Sequence, residues 1–436
     1  MPITNWVRPR RTLAIAALAS ASLSVSLAAT DANASAKKSK PLSGTITVAD
    51  LSSSGNNLSP LAAEAKAFMK KYPKIHVKME EIPDANYNAV VKTALQGGGG
   101  PDLYRSSAGT GDNAAAQAFG RAGLAANLAS EPWVSKIPPN AAGYYVGKKL
   151  YGLPMDFTTY AYIYNVADLQ KWGVKPPTTL SQALAYCAAA KSHGGVGFAI
   201  AGAVPANTGV YAMLLAQSDV YAKQPTWDSL RAHGKVRFAT SKGWNQALND
   251  FLKMNSAGCF EPGASGAGFD QLTMLLGSQQ AGAVGSPTFS IPTIESAAHL
   301  TLNTFGAFGS GGYGGVLGNF GNGVSLNPHT KHPMLAQAFL GFLAASEGQH
   351  VFAVSDDAPS FNQIKGGAIP SGLGLSGVAK SLKTQALAGT ISWPPASWNQ
   401  ATYAALGQGV TGLMTGQTTV SAVLKSMDQA WTNNGE

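Results

Sequence analysis

The chain has 436 residues, 45% of them hydrophobic and 12% charged, with 31 Lys and Arg against 22 Asp and Glu for a formal net charge of +9. The basic excess is spread along the length and reads mainly as a solvated face, so no nucleic-acid partner is expected. The two cysteines have no Cys or His at ligand spacing, which excludes a cysteine metal site.

Residues 1–34 read as a secretory signal peptide. Arg8, Arg10 and Arg11 precede an apolar run from Leu13 to Ala29, and Ala32-Asn33-Ala34 supplies a small-x-small cleavage site. Removing the segment takes away three basic residues and one acid, so the charge becomes 28−21=+7. No later run of about 18 apolar residues occurs and no cysteine stands at the cleavage site. The expected product is therefore soluble, periplasmic or secreted, and not lipid-anchored. The remaining 436−34=402 residues exceed what one core usually serves, so two lobes are expected. Cys187 and Cys259 allow one disulfide in an exported chain, and the sequence leaves their pairing open.

In chain order, Gly44 to Asp50 reads as a short strand, with Ile46 and Val48 on one face. Ser59-Pro60 forms an N-cap with proline at the first helical position, and Leu61, Ala65, Phe68, Met69 and Tyr72 follow at helical spacing up to Pro73. Ile75, Val77 and Met79 alternate as a second strand, and Asp84 opens another helix that ends at the glycines from Gly97 to Gly100. The β-α-β-α order predicts an α/β lobe with a largely parallel sheet.

The stretch from Tyr151 to Asn165 carries a Gly-Leu-Pro turn, Asp156, and then Tyr160, Tyr162 and Tyr164 at period two, opposite Ala161 and Ile163. On residue types alone it reads equally as a ligand-facing tyrosine row or as a strand that is aromatic by β-propensity. Downstream, Thr179 caps a helix with Leu180, Ala183, Leu184 and Cys187 inward, and Gly194 to Ala203 is a small-residue strand region. Ser241 to Gly258 is an amphipathic helix with Trp244, Leu248, Phe251 and Leu252 inward. Residues 300–328 are rich in glycine, with a strand through Val324. A helix follows Lys331-His-Pro333, and Thr419 caps a last helix bearing Val420, Val423, Leu424, Met427 and Trp431.

Several of these blocks resemble the maltose-binding-like family of extracellular solute-binding proteins of ABC importers. They are Phe68 to Val77, Ile82-Pro-Asp-Ala-Asn-Tyr-Asn88, Gly100-Pro-Asp-Leu103, the Tyr151–Asn165 stretch, Lys175-Pro-Pro-Thr178, Lys331-His-Pro333 and the terminal helix. The resemblance implies an α/β, two-lobe periplasmic binding protein-like fold of type II with the ligand cleft between the lobes. It implies lobe 1 from residues 35–156 and 305–346 and lobe 2 from 157–304 and 347–436, with crossings near Asp156, Phe305 and Glu347. It further implies a monomer that captures a sugar or oligosaccharide and passes it to permease subunits, with no cofactor and no covalent chemistry. The ligand-contacting residues it suggests are Asp156, Tyr160, Asn57, Asp112, Phe289, Asn319, Trp393 and Trp398. At Phe289 the chain departs from the family, because Gly277 to Phe289 replaces a usual Gly-Lys-Ala-Ala-Met block. Non-sugar solutes such as a polyol, sugar phosphate, polyamine or chelated metal, a secreted carbohydrate-active enzyme, and a sensory adaptor remain as alternatives.

Enzyme motifs do not appear with useful context. Gly-x-Ser-x-Gly and a phosphate loop are absent. Gly309 to Gly314 and Gly372 to Gly377 both fit Gly-x-Gly-x-x-Gly, but neither opens an amphipathic helix, so both read as turn glycines. His329 and His332 lack the remainder of a zinc motif. The adjacent acids Glu80-Glu81 and Asp356-Asp357 would point to opposite faces of a strand, which argues against a shared catalytic site.

Overall fold

A computed structural model describes residues 42–51, 59–109, 114–137, 141–291, 294–295, 300–355, 358–366, 368–370, 372–388, 390 and 392–432. The signal-peptide residues, Asn57, Asp112 and the Asp356-Asp357 pair lie outside them.

The first half is built as the apolar spacing predicts. Strand β1 (Gly44–Leu51) runs parallel to β2 (Ile75–Ile82) along its whole length and to β3 (Leu103–Ser107) on its other side. Helix α1 (Pro60–Lys71) connects β1 to β2, and α2 (Asp84–Gln96) connects β2 to β3. The Ser59 hydroxyl accepts the Ala62 N–H and caps α1. The largely parallel sheet expected from this region holds for these strands only. Two antiparallel strands from further along the chain complete the order β2-β1-β3-β12-β4, where β4 is Leu153–Pro154 and β12 is Asn322–Leu326. Ile46, Val48, Leu61, Phe68 and Leu103 pack there with Phe339 and Leu343 of α6 (Pro333–Leu343).

The second half is organised on β5 (Thr158–Asn165). It pairs antiparallel with β7 (Ala281–Pro287) on one edge. On the other edge it pairs with β8 (Leu302–Phe305) and β11 (Leu317–Asn319). Strand β6 (Val196–Ala199) runs parallel to β7. The alternation along β5 has the expected result: Tyr162 and Tyr164 enter one apolar cluster and Ile163 another on the opposite face. Tyr162 stacks on Phe305 at 5.1 Å and on Phe308 at 4.8 Å, and burial pushes its phenol pKa up. The tyrosine row therefore divides into two core residues and Tyr160 at the strand's open end.

Cys187 of α3 (Leu180–Ser192) is bonded to Cys259, just beyond α5 (Lys242–Ser256), with an S–S distance of 2.04 Å and a sequence separation of 72. A hairpin of β9 (Ala307–Gly309) and β10 (Gly312–Gly315) contains the first Gly-x-Gly-x-x-Gly match, so those glycines serve a turn. Gly312 has φ +97° and Gly315 +83°, backbone that L side chains rarely adopt. Helix α4 (Pro205–Ala216) runs into a wider turn at Gln217–Tyr221 that packs against this hairpin.

The chain passes from the first sheet to the second between Pro154 and Thr158 and returns between Asn319 and Asn322. The return expected near Phe305 is displaced, because Phe305 pairs with Tyr162 inside the second sheet. The passage expected near Glu347 is displaced too. Helix α7 (Ser346–Ser355) lies on α1 through Phe352 and a 2.5 Å Lys71–Glu347 ion pair. Helix α8 (Ala379–Ala388) buries Leu382 and Ala386 in the same first core. Only beyond α8 does the chain join the second core, at Trp398, with α9 (Gln400–Thr415) and α10 (Val420–Thr432) following.

Glu64 is fully buried on α1, and burial pushes its carboxyl up to about 9, with the Phe352 backbone opposing and Glu347 adding. Because the folded value is raised, the neutral form favours folding below about pH 4.5, and that advantage is lost as pH rises toward 9. Glu64→Gln should therefore melt higher than the parent at pH 7 and above, on the order of 2–3 kcal/mol, with the gap closing near pH 4. Thermal melts across that range check it. The Cys187→Ala/Cys259→Ala variant should lose about 2–5 kcal/mol, and urea melts with and without reductant should show the parent converging on the variant.

Candidate functional site

The two crossings lie side by side and are joined through Asp156. Its carboxylate is 1% exposed and accepts the Asn322 backbone N–H at 2.5 Å and the Asn322 Nδ2 at 2.8 Å. Arg105 Nε donates to Asn322 Oδ1 at 3.1 Å, and Arg105 Nη1 lies 3.3 Å from Asp50 Oδ1. Asp50 also accepts the N–H groups of Leu51 and Leu61. A continuous polar run thus leads from the start of α1 through β1 and β3 to both crossings. In this setting Asp156 is a structural acceptor at the mouth of β5.

Tyr160 lies two residues into β5 and is half-buried. Its ring lies flat on Trp393, with centroids 3.8 Å apart and planes 9° from parallel. Tyr403 of α9 meets Trp393 edge-on at 5.8 Å and donates its hydroxyl to the Ala206 carbonyl at 2.9 Å. The Trp393 segment is held in place because Gly318 N–H, on β11, donates to the Ser392 carbonyl at 3.1 Å. Asn319, the next residue on β11, is paired with Thr158, and its Oδ1 is buried without a hydrogen-bond partner. Phe289 follows Pro287, the β7 partner of Tyr160, and is 52% exposed.

The structure thus gathers five of the eight sequence-suggested residues, Asp156, Tyr160, Phe289, Asn319 and Trp393, around the start of β5. Asn57 and Asp112 fall outside the described residues. Trp398 lies elsewhere: it is in the second core against Phe238 and Trp244, and its indole N–H donates to Asp228 at 3.2 Å. Burial pushes that Asp228 carboxyl up to about 6. Sequence reading missed Asn322, Arg105 and Tyr403. Only Tyr403 left a readable sign, an aromatic in the first turn of a helix that Asn399 caps.

A cavity of about 480 Å³ opens between the β9–β10 hairpin and α8, lined by Gln217, Tyr221, Tyr313, Gln385 and Ser392 among others. Ser392 links it to Trp393. Its size falls within the range of ligand pockets, and it combines aromatic faces with amides and hydroxyls.

The model for bacterial extracellular solute-binding proteins matches residues 52–350. The chain belongs to that family. A multiple sugar-binding protein from Streptococcus mutans serotype c is 23% identical over 304 residues, which cover 67% of this chain and 70% of that one. Among solved structures, the apo form of RafE from Streptococcus pneumoniae superposes with a TM-score of 0.68 at 21% identity, covering 89% of this chain and 97% of that chain. A family 1 extracellular solute-binding protein from Bifidobacterium longum subsp. infantis gives 0.67 at 19% identity, covering 90% and 99%. The solute-binding protein described here has the type II two-lobe fold, and the sheets on β1 and β5 are the centres of its α/β halves. Among its described residues no helix is long and apolar enough to cross a membrane.

Asp156→Asn should preserve shape but set an amide N–H against the Asn322 amide, costing about 1–3 kcal/mol of stability. Tyr160→Ala, at a half-buried position, should cost less. Urea melts of both variants decide whether Asp156 has this structural weight; equal losses would contradict it.

Proposed function

We propose that this chain is the substrate-binding component of an ABC importer, capturing a sugar or oligosaccharide between its two halves and delivering it to a membrane permease. The observation that carries the reading is the parallel Tyr160–Trp393 stack at the crossings. Pyranose rings offer C–H faces that pack on aromatic planes, and their hydroxyls need paired donors and acceptors. Trp393 backed by Tyr160 is a rigid plane of this kind, Asn319 Oδ1 is an acceptor in want of a donor, and Phe289 offers a second ring. The multiple sugar-binding protein among its relatives and a RafE structure in complex with raffinose support the same ligand class.

Binding would proceed by closure about the adjacent crossings. Contacts from both halves to one ligand exist only when the halves meet, so ligand stabilises the closed form, which then docks on the permease. Asn57 and Asp112 would join from the first half. The protein would act as a monomer without covalent chemistry, exported by its N-terminal signal peptide and not lipid-anchored.

A thermal-shift screen of the mature protein against mono- and oligosaccharides, with polyols, sugar phosphates and polyamines alongside, tests this. A ligand at about 100 times its dissociation constant adds roughly 2.7 kcal/mol. One sugar class should give a selective shift and be recovered intact; a shift confined to non-sugars would overturn the sugar assignment, and turnover would overturn the binding role. Trp393→Ala should weaken sugar binding by about tenfold or more with little change in the ligand-free melt, whereas Trp398→Ala should lower that melt by about 3 kcal/mol.

A further inference from the structure

Val316 lies between β10 and β11, outside the ladder of either strand, and is buried in the first core, whereas Leu317 beside it is buried in the second. Backbone groups at such a border need partners from elsewhere. Both come from one side chain. Gln385 Oε1 accepts the Val316 N–H at 2.8 Å, and Gln385 Nε2 donates to the Val316 carbonyl at 3.1 Å. A side-chain amide carries its donor and acceptor on separate atoms, so here it stands in for the missing strand neighbour. Gly315 makes room for it: φ there is +83°, and a Cβ would collide with Gln385 Oε1.

The place of this residue gives it two routes to the aromatic stack. By the first, Val316 leads directly into β11, whose Leu317 pairs with Tyr160 and whose Gly318 pairs with Thr159. By the second, the Gln385 carbonyl accepts the Thr390 N–H at 2.9 Å, a bond that closes the end of α8 and sets the direction of the chain beyond it. Two residues further on, the Ser392 carbonyl takes the Gly318 N–H at 3.1 Å, and Trp393 follows. The stretch 385–392 is therefore stitched at both ends to the segment that runs beside Tyr160. Helix α8 has its own anchors, Leu382 and Ala386 in the first core and a 2.6 Å contact between the Ser381 and Tyr313 hydroxyls. The Gln385 amide is what ties this anchored helix, and the Trp393 segment leaving it, to the strand next to Tyr160.

We propose that Gln385 is a positioning residue for the Tyr160–Trp393 stack, holding the two rings in register by fixing β11 against the end of α8. Its effect on ligand rests on the sugar-binding reading given above; its effect on the rings does not. A stack shifted by loss of the amide presents a different plane to a pyranose, so Gln385 sets affinity through Trp393.

Gln385→Met, of similar length but without either bond, tests this in the mature protein labelled with fluorotryptophan. In fluorine NMR the Trp393 signal, identified by its loss in Trp393→Phe, should move, while those of Trp133 in the first core and Trp244 in the second stay in place. Gln385→Glu keeps an acceptor for the Val316 N–H but has no donor for its carbonyl, and should move the signal less. Raffinose and maltotriose are the ligand probes. The affinity of whichever binds the parent should fall about tenfold in Gln385→Met, and that loss should vanish when Gln385→Met is made in Trp393→Ala. The proposal is overturned if the Trp393 signal is unmoved in Gln385→Met, or if the two affinity losses add in full. Should neither saccharide bind, the sugar-binding reading loses support and the Trp393 signal alone decides the role of Gln385. Should Gln385→Met fail to fold, Gln385→Glu carries the same comparison.

Discussion

The architecture depends on one buried carboxylate. Wherever a chain leaves one sheet for another, its backbone loses ladder partners, and at these two adjacent crossings Asp156 makes up the deficit by taking both amide groups of Asn322. Asn322 passes the connection to Arg105, and Arg105 to Asp50, which also receives the first free N–H of α1. A charged network this deep is tolerable only when its members are satisfied, so its geometry is narrow. The crossings are consequently held to each other and to the first sheet, and a third passage beyond α8 joins the first core to the second.

The first half was largely legible because local signals agreed with the tertiary outcome. Ser59-Pro60 caps α1, Pro73 follows its end, and Ile75, Val77 and Met79 alternate along β2. What failed was the return path. The sequence from Leu302 to Leu326 is so rich in glycine that hydrophobic periodicity is nearly silent there, and strand order depends on pairings across more than 130 residues, such as Phe305 with Tyr162 and Leu317 with Tyr160. Family resemblance placed the crossing near Phe305; backbone pairing places it about fifteen residues later. Likewise Glu347 is in a helix whose apolar Phe352 belongs to the first core, which no local pattern announces.

The glycine-rich hairpin shows how a segment with few side chains is nonetheless fixed. Its turn is gripped by two buried acids: Asp219 takes the Gly311 N–H, and Asp250 takes both the N–H and the hydroxyl of Ser310. Burial and the neighbouring Asp250 carboxylate push Asp219 up to about 6. Glycine is needed here for proximity, since a Cβ at Gly309 would sit 2.8 Å from Asp219 Oδ2 and one at Gly314 2.7 Å from the Ser218 backbone. The Gly-x-Gly-x-x-Gly match at Gly309 to Gly314 is thus a hairpin turn clamped by two carboxylates.

Residue type alone cannot separate a binding aromatic from a packing one, and this chain contains two matched pairs that show what does. Tyr160 and Tyr162 share one face of one strand, yet Tyr162 is walled in by Phe198, Phe305 and Phe308, while Tyr160 stands where β7 ends and β11 begins to pair. Trp393 and Trp398 flank the same Pro-Pro turn, yet Trp398 is tied through its N–H to a buried Asp228, whereas Trp393 lies flat on Tyr160 at the margin of a cavity that Ser392 enters. In each pair the packing member is buried, and the other is only partly buried. Aromatic surface kept half-covered forgoes stability that further burial would recover, and it is this surface, beside the Asn319 acceptor, that the proposed sugar contact would cover.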